Sequence, residues 1–287
     1  MMPSEGRDRS VTASTFDIGG ERAVRRLGFG AMHLPVSPAQ DRERGIAVAR
    51  HAVRLGVNLI DTAQLYSWGR NEELLAEALH PYPAELLVAT KVGVAPPGPG
   101  RQADIDGRPE FLRSQVDEGL RRLRLDRIEL LQLHRVDTKV PLADQVGALA
   151  ELRTAGKIAH IGLSEVTVAQ LAEAGKITEI ATVQNRYSVL DREYEDVVDA
   201  CAAAGIGFMP WRPVHPATVT PGEVTAVAAE LDATPAQVAL AWLLRRTPVM
   251  LPIPGTGSLA HLEENVAAAE LSLTDEQFVR LDAVARP

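Results

Sequence analysis

Residues 85–91, ELLVATK, set a short apolar run against a terminal cation, and the chain on either side repeats that plan. Upstream, NLID (58–61) is another apolar run closed by an ionisable residue. The stretch between them, NEELLAEAL, carries its leucines and alanines at helical spacing. Downstream, PEFLRSQVDEGLRRLRL leads into IELLQLH (128–134), an apolar run that ends on histidine. Strands separated by helices of this length pair in parallel, with right-handed crossovers.

The same alternation extends in both directions through LGFGAM (27–32), IAHIGLS (158–164), ATVQN (181–185), IGFMPW (206–211) and VMLPIP (249–254), eight runs in all. Eight strand–helix units in roughly 250 residues match an α/β fold of the (β/α)8 TIM-barrel type. A doubly wound open sheet would place G-x-G-x-x-G after its first strand, and LGFGAMHLP lacks it. Ahead of the first run, TFDIGG and ERAVRRL read as a β-hairpin turning at Gly19-Gly20. Extra helices complete the C-terminus. In TPAQVALAWLLRR, Thr234 is the expected N-cap, with Pro235 at the first helical position. No linker or composition shift divides the chain. Residues 14–287 are expected to form one barrel domain behind a disordered lead of residues 1–13.

Composition narrows the function. The 287 residues are 46% apolar and 24% charged, ordinary for a globular enzyme. No apolar run reaches the length of a membrane span, and the polar N-terminus lacks the apolar core of a signal peptide. A net charge of −8, with Lys and Arg spread along the chain, argues against a nucleic-acid partner. The single cysteine, Cys201, cannot form an internal disulfide, and no Cys/His cluster suggests a metal site. The expected location is the cytoplasm.

In a barrel, the C-terminal strand ends share one rim. Asp61, Lys91, His134 and Gln184-Asn185 end four of the apolar runs, and Tyr66 follows Asp61 in the next loop. The loop of residues 93–109 belongs to the same face. These residue types suit proton transfer by a phenol. An unperturbed tyrosine titrates near pH 10, so it needs a neighbouring cation to favour phenolate, and a carboxylate keeps that lysine charged. A histidine beside them would polarise a carbonyl oxygen as charge develops on it. Without its neighbours, Lys91 reads as a Schiff-base lysine.

Taken together these segments resemble the aldo-keto reductases, over nearly the whole chain. GVNLIDTAQLYSWGRNEELLAEAL matches the family's Asp-and-Tyr segment, ATKVG supplies Lys91, and LQLHRVD supplies His134. GKIAHIGLSEVT, VQNRYS, MPWRPV and LPIPGTGSLAHLEENVAAA match later signatures, with the flavour of the bacterial group that includes pyridoxal reductases. The resemblance implies a catalytic tetrad of Asp61, Tyr66, Lys91 and His134. It also implies reduction of a small carbonyl substrate by NADP(H), with NAD(H) as the alternative cofactor. The implied cofactor contacts are Gly30, Met32, Asp61, Ser164, Glu165, Gln184, Trp211, Arg212 and Pro213. On the adenosine-phosphate side they are Gly255, Thr256, Gly257, Ser258, His261, Glu264 and Asn265. Substrate contacts fall to Met32, His33, Trp68 and Arg135. Three features depart from the family pattern. Glu165 replaces a common asparagine, Arg212 a common serine, and Gly257 and His261 stand where relatives carry Lys and Arg. A monomer or weak homo-oligomer is expected. Some relatives of this fold serve as cofactor-binding regulatory subunits, which is the alternative role.

Overall fold

The computed structural model describes residues 15–97, 103–214 and 222–285. The expected N-terminal lead lies outside the described residues. Thr15–Ile18 (β1) and Arg22–Arg25 (β2) pair antiparallel as the expected hairpin. Gly19 and Gly20 turn it with φ of +60° and +71°, a left-handed pair that side chains disfavour.

The remaining strands, in chain order, are Phe29–Gly30 (β3), Leu59–Asp61 (β4), Leu87–Val92 (β5), Val94–Ala95 (β6), Asp104–Ile105 (β7), Ile128–Leu133 (β8), Ile158–Ser164 (β9), Thr182–Gln184 (β10) and Gly207–Phe208 (β11). Strands β3, β4, β5, β8, β9, β10 and β11 form one parallel sheet in that order. Helices α1 (Ala39–Arg54), α2 (Arg70–Leu79), α3 (Pro109–Leu123), α4 (Leu142–Thr154), α5 (Val168–Gly175), α6 (Glu195–Ala204), α7 (Gly222–Glu230), α8 (Pro235–Arg246) and α9 (Leu259–Ala267) follow the strands. A last helix, α10 (Asp275–Ala283), packs on α7 and α8 as a C-terminal addition. Thr234 caps α8 as expected, in a capping box with Gln237.

The eighth run, 249–254, closes the barrel without forming a regular strand. Phe208 and Val249, then Leu251 and Phe208, are linked by backbone bonds of 2.8 and 2.7 Å. On the far side Gly28 and Gly30 donate to the carbonyls of Pro252 and Pro254. Proline has no N–H to return, so this edge is hydrogen-bonded in one direction only. The strands make up for it by close approach. A Cβ on Gly30 would lie 2.7 Å from the Ile253 carbonyl oxygen, and one on Gly255 would lie 2.8 Å from that of Gly30. Barrel closure by itself therefore explains the glycine at position 30.

Inside the barrel, Leu59, Leu87, Ala89, Leu130, Met209, Leu251 and Ile253 form one buried cluster with Ile18 and Val24 of the hairpin. The hairpin thus plugs the N-terminal end. Side chains alternate along each strand, so Leu87, Ala89 and Lys91 share the inner face while Val88 and Thr90 face the helices. The inner face is largely apolar below its C-terminal layer, where Asp61, Lys91 and Gln132 replace hydrocarbon. The buried polar layer thus lies at the end opposite the plug.

Candidate active site

The C-terminal layer is built around one buried ammonium. Lys91 Nζ donates to Asp61 Oδ2 at 2.5 Å, to the Thr62 carbonyl at 2.8 Å and to the Tyr66 hydroxyl at 3.2 Å. The ammonium also sits 4.9 Å from the centre of the Tyr66 ring. His134 completes the group edge-on to Tyr66, with ring centres 6.2 Å apart and planes at 87°. Residues from β4, the following loop, β5 and the end of β8 therefore converge as the sequence led one to expect.

Two glutamines hold the carboxylate. The side-chain amides of Gln132 and Gln184 each donate to Asp61 Oδ1 at 3.0 Å, so both carboxylate oxygens are occupied. Gln132 was missed at the sequence level. Its signal is a polar residue two positions before His134 in a largely apolar strand, hence on the same strand face. Gly162 makes room for it, since a Cβ there would come within 2.8 Å of Gln132 Cγ. A second buried network holds the tyrosine loop. Asn71 accepts from the Thr62 hydroxyl at 2.6 Å and donates to the Ala31 carbonyl. Glu72 accepts from the Thr90 hydroxyl and from Arg122 Nε, both at 2.6 Å. Neither residue, nor Arg122, stood out in the sequence, because a polar or charged residue in an amphipathic helix reads as solvated.

Burial and charge set the protonation states. Burial lowers the Lys91 pKa, but the Asp61 carboxylate and then the Tyr66 phenol outweigh it, and the ammonium is held above the ordinary lysine range. That state is the wrong one for a Schiff-base nucleophile, which needs a neutral amine. For Tyr66 the expected pull of the Lys91 cation toward phenolate is present but is not the larger influence. Burial raises the phenol above its usual range, and the opposing Lys91 charge does not cancel that effect. Tyr66 is therefore a protonated phenol with a hydrogen to give. Burial, then the Lys91 and Arg135 charges, push His134 down to about 2, so its imidazole is neutral. Among the described residues the buried His134 Nδ1 has no hydrogen-bond partner.

The other expected contacts surround this centre on the rim. Ser164 ends β9 and accepts from Arg135 Nη1 at 3.2 Å, while the same nitrogen donates to the His134 carbonyl at 2.6 Å. Arg135 is thus turned toward Ser164. Glu165, in the left-handed region at φ +57°, accepts from Trp211 Nε1 at 2.6 Å and from the Arg186 amide at 2.9 Å. The Arg212 guanidinium lies 5.5 Å from the Trp211 ring centre, and Pro213 is buried beside it. Asn185 pins the Val166 backbone through two hydrogen bonds. Met32 and Trp68 present large exposed apolar surfaces, 50% and 40% accessible, and His33 is exposed. In the 93–109 loop β6 pairs with β7, and residues 98–102 lie outside the described residues.

Beyond the closing run, Gly255–Ser258 lead into α9. The Ser258 amide donates to Thr256 Oγ1 at 3.0 Å, and Ser258 caps the helix by accepting from the His261 amide. Gly257 lies against the neighbouring segment, where a Cβ would be 3.0 Å from the His33 carbonyl oxygen. His261 and Glu264 are exposed on α9, and Asn265 is half-buried. Among the described residues, no three His, Cys, Asp or Glu side chains group to hold a metal. No helix there is long and apolar enough to cross a membrane.

Residues 26–286 match the sequence profile of the aldo/keto reductase family. An uncharacterised oxidoreductase of Schizosaccharomyces pombe is 43% identical, over 92% of this chain and 87% of its own length. Pyridoxine 4-dehydrogenase of Escherichia coli is 40% identical over 96% of this chain and all (100%) of its own. An aldo/keto reductase structure from Klebsiella pneumoniae, in complex with NADP and acetate, aligns with a TM-score of 0.81 at 26% identity, covering 96% of each chain. The glycerol dehydrogenase of Gluconobacter oxydans shares the fold, with a TM-score of 0.86 at 24% identity over 96% of this chain and 98% of its own. Fold, rim and relatives together define an oxidoreductase. The chain belongs to the aldo/keto reductase family.

Proposed function

We propose that this protein reduces a small aldehyde or ketone to its alcohol, with NADPH preferred over NADH and Tyr66 as the proton donor. The observation that carries the reading is the Lys91 ammonium, placed between the Asp61 carboxylate and the Tyr66 hydroxyl at 2.5 and 3.2 Å.

The donor set fits a nicotinamide cofactor. Ser164 and Gln184 offer a hydroxyl and an amide to a carboxamide, and Trp211 offers an aromatic face. Asp61, Glu165, Arg212, Pro213 and the Gly30–Met32 turn border the same space. Thr256, Ser258 and the amides opening α9 suit a phosphate, with Gly255, Gly257, His261, Glu264 and Asn265 around them. When bound, the cofactor supplies the hydride that reaches the carbonyl carbon.

The chain's own residues do the rest. Tyr66 passes its hydroxyl proton to the carbonyl oxygen as negative charge builds there. Lys91, kept charged by Asp61, stabilises the phenolate left behind. His134, a neutral imidazole, donates a hydrogen bond to the same oxygen and steers it toward Tyr66. Met32 and Trp68 form an apolar wall suited to an aromatic or alkyl aldehyde, and His33 and Arg135 add polar contacts at its edge. Similarity to a pyridoxine dehydrogenase makes the pyridoxal/pyridoxine pair the first substrate to test.

A steady-state assay of NADPH oxidation with a carbonyl panel that includes pyridoxal tests the proposal. Turnover with at least one aldehyde is expected. Tight NADPH binding with no turnover on any carbonyl would leave the regulatory-subunit role instead.

A further inference from the structure

Among the described residues the carboxylate of Glu165, near the expected nicotinamide position, has hydrogen-bond donors but no cation paired with it. It ties three strand ends and a helix start together. Its own amide donates to the Gln184 carbonyl at 3.1 Å. Its Oε1 accepts from Trp211 Nε1 at 2.6 Å and from the Arg186 amide at 2.9 Å, and its Oε2 accepts from the Tyr194 hydroxyl at 3.4 Å. Every donor is a neutral group. Among the described residues no cation lies within ion-pair distance of Glu165, because Arg186 is engaged by Asp191 and Glu193 at 2.6 and 3.1 Å. The half-buried carboxylate therefore meets neutral donors only, and one of its oxygens is bonded directly to the indole of Trp211.

We propose that Glu165 makes this site prefer the oxidised over the reduced nicotinamide ring. The inference rests on the proposed stacking of that ring on Trp211. An oxidised nicotinamide is a cation and a reduced one is neutral, so a nearby carboxylate attracts only the first. The hydrogen bond from Trp211 Nε1 to the carboxylate also enriches the indole in electron density, which strengthens its attraction for a cation stacked on its face. Both effects act in the same direction. Glu165 stabilises the positive charge that develops on the ring as hydride departs, which speeds carbonyl reduction, and it slows release of the oxidised cofactor afterwards. The solution equilibrium is untouched, and only the bound states shift. Asparagine at this position, common in relatives, would hydrogen-bond without adding that charge.

Two cations oppose the effect. The Arg212 guanidinium lies 5.5 Å from the Trp211 ring centre, and Arg135 donates to Ser164. Neither is hydrogen-bonded to Glu165, so a substitution there acts first on the carboxylate.

The test is calorimetric titration of wild-type protein, Glu165→Gln and Arg212→Ala with NADPH and with NADP+. The two cofactors share every phosphate and ribose contact, so the ratio of their dissociation constants reports the ring charge alone. In Glu165→Gln, which keeps an acceptor for the indole, NADP+ should weaken relative to NADPH by about three- to tenfold. Arg212→Ala should move the ratio in the opposite direction. A ratio in Glu165→Gln within about twofold of wild type, including a parallel weakening of both cofactors, overturns the inference and leaves the reductase reading standing. Wild-type protein that binds neither cofactor overturns that reading, and the inference with it.

Discussion

Lys91 and Asp61 meet 2.5 Å apart inside the barrel, with less than 3% of either side chain exposed. The two glutamine amides on the far oxygen of Asp61 complete its coordination, and the Thr62 carbonyl and Tyr66 hydroxyl complete that of Lys91. The cost of burying the two charges is met by hydrogen bonds on every side. The pair works as a fixed source of positive field aimed at one phenol. The chemistry proposed above depends on that aim.

Tyr66→Phe removes a hydroxyl and nothing else. Cofactor affinity should stay within about twofold of wild type, while turnover falls by two or more orders of magnitude, about 3 kcal/mol. Near-normal turnover on several aldehydes would mean that another group donates the proton.

Lys91→Met leaves the Asp61 carboxylate buried without its cation. Unfolding in urea should show a loss of about 3 kcal/mol. Adding Asp61→Asn should return part of that stability without returning turnover. Because the folded-state pKa of Lys91 lies above its ordinary value, its stabilising contribution is intact below that value and fades only as the pH rises past the folded one. Borohydride with a carbonyl substrate should leave Lys91 unmodified. An adduct there would restore the Schiff-base reading.

His134 carries a pH signature of the opposite kind. Its imidazole titrates at about 2 in the folded chain, against an unfolded value of 6.5, so between those limits the unfolded state binds the extra proton. Its contribution is complete above 6.5 and shrinks as the pH falls, by about 2 kcal/mol at pH 5. Stability of His134→Asn should therefore vary less between pH 7 and 5 than that of wild type. Equal slopes, or an NMR titration of His134 near neutrality, would contradict a buried neutral imidazole.

The phosphate end of the cofactor site tests differently. His261 is exposed on the first turn of α9, so His261→Arg should raise the preference for NADPH over NADH by about tenfold. Gly257→Lys would bring a cation to the same region, but its Cβ would press on the His33 carbonyl at 3.0 Å, and a loss of about 1 kcal/mol in stability should accompany it. Binding constants for both cofactors decide the first claim, and thermal melts decide the second. No change in preference for His261→Arg would place the 2′-phosphate elsewhere.

Gly30→Ala should act on the barrel seam before it acts on any ligand. Its Cβ would meet the Ile253 carbonyl at 2.7 Å, so a stability loss of about 2 kcal/mol is expected, with the ratio of NADPH to NADP+ affinities unchanged. A variant of wild-type stability that binds cofactor poorly would return Gly30 to a direct binding role.

Much of this could be read along the chain. Asp61, Lys91 and His134 were legible because each is an ionisable residue closing an apolar run. The barrel was legible because strand and helix periods alternate, and the hairpin because two glycines sit at one turn. Glu72 and Arg122 were not legible, since their partners lie 18 and 50 residues away and no local period encodes such pairings. Gln132 left a local signal, its place on the His134 face, but its partner Asp61 lies 71 residues away.

What the sequence by itself determined is the order of the elements and the residue types at their ends, because both follow from short-range periodicity and backbone preference. Tertiary structure alone decided the protonation states. The Tyr66 phenol stays protonated, because burial acts on it more strongly than the ammonium beside it. Tertiary structure also turned Glu165 onto Trp211 and Arg135 onto Ser164, since each bond joins the ends of different strands far apart in the chain. The closing edge shows both levels at once. Its prolines were visible in the sequence, but that Gly30 must stay bare to meet them depends on two backbones packed too closely for a methyl group.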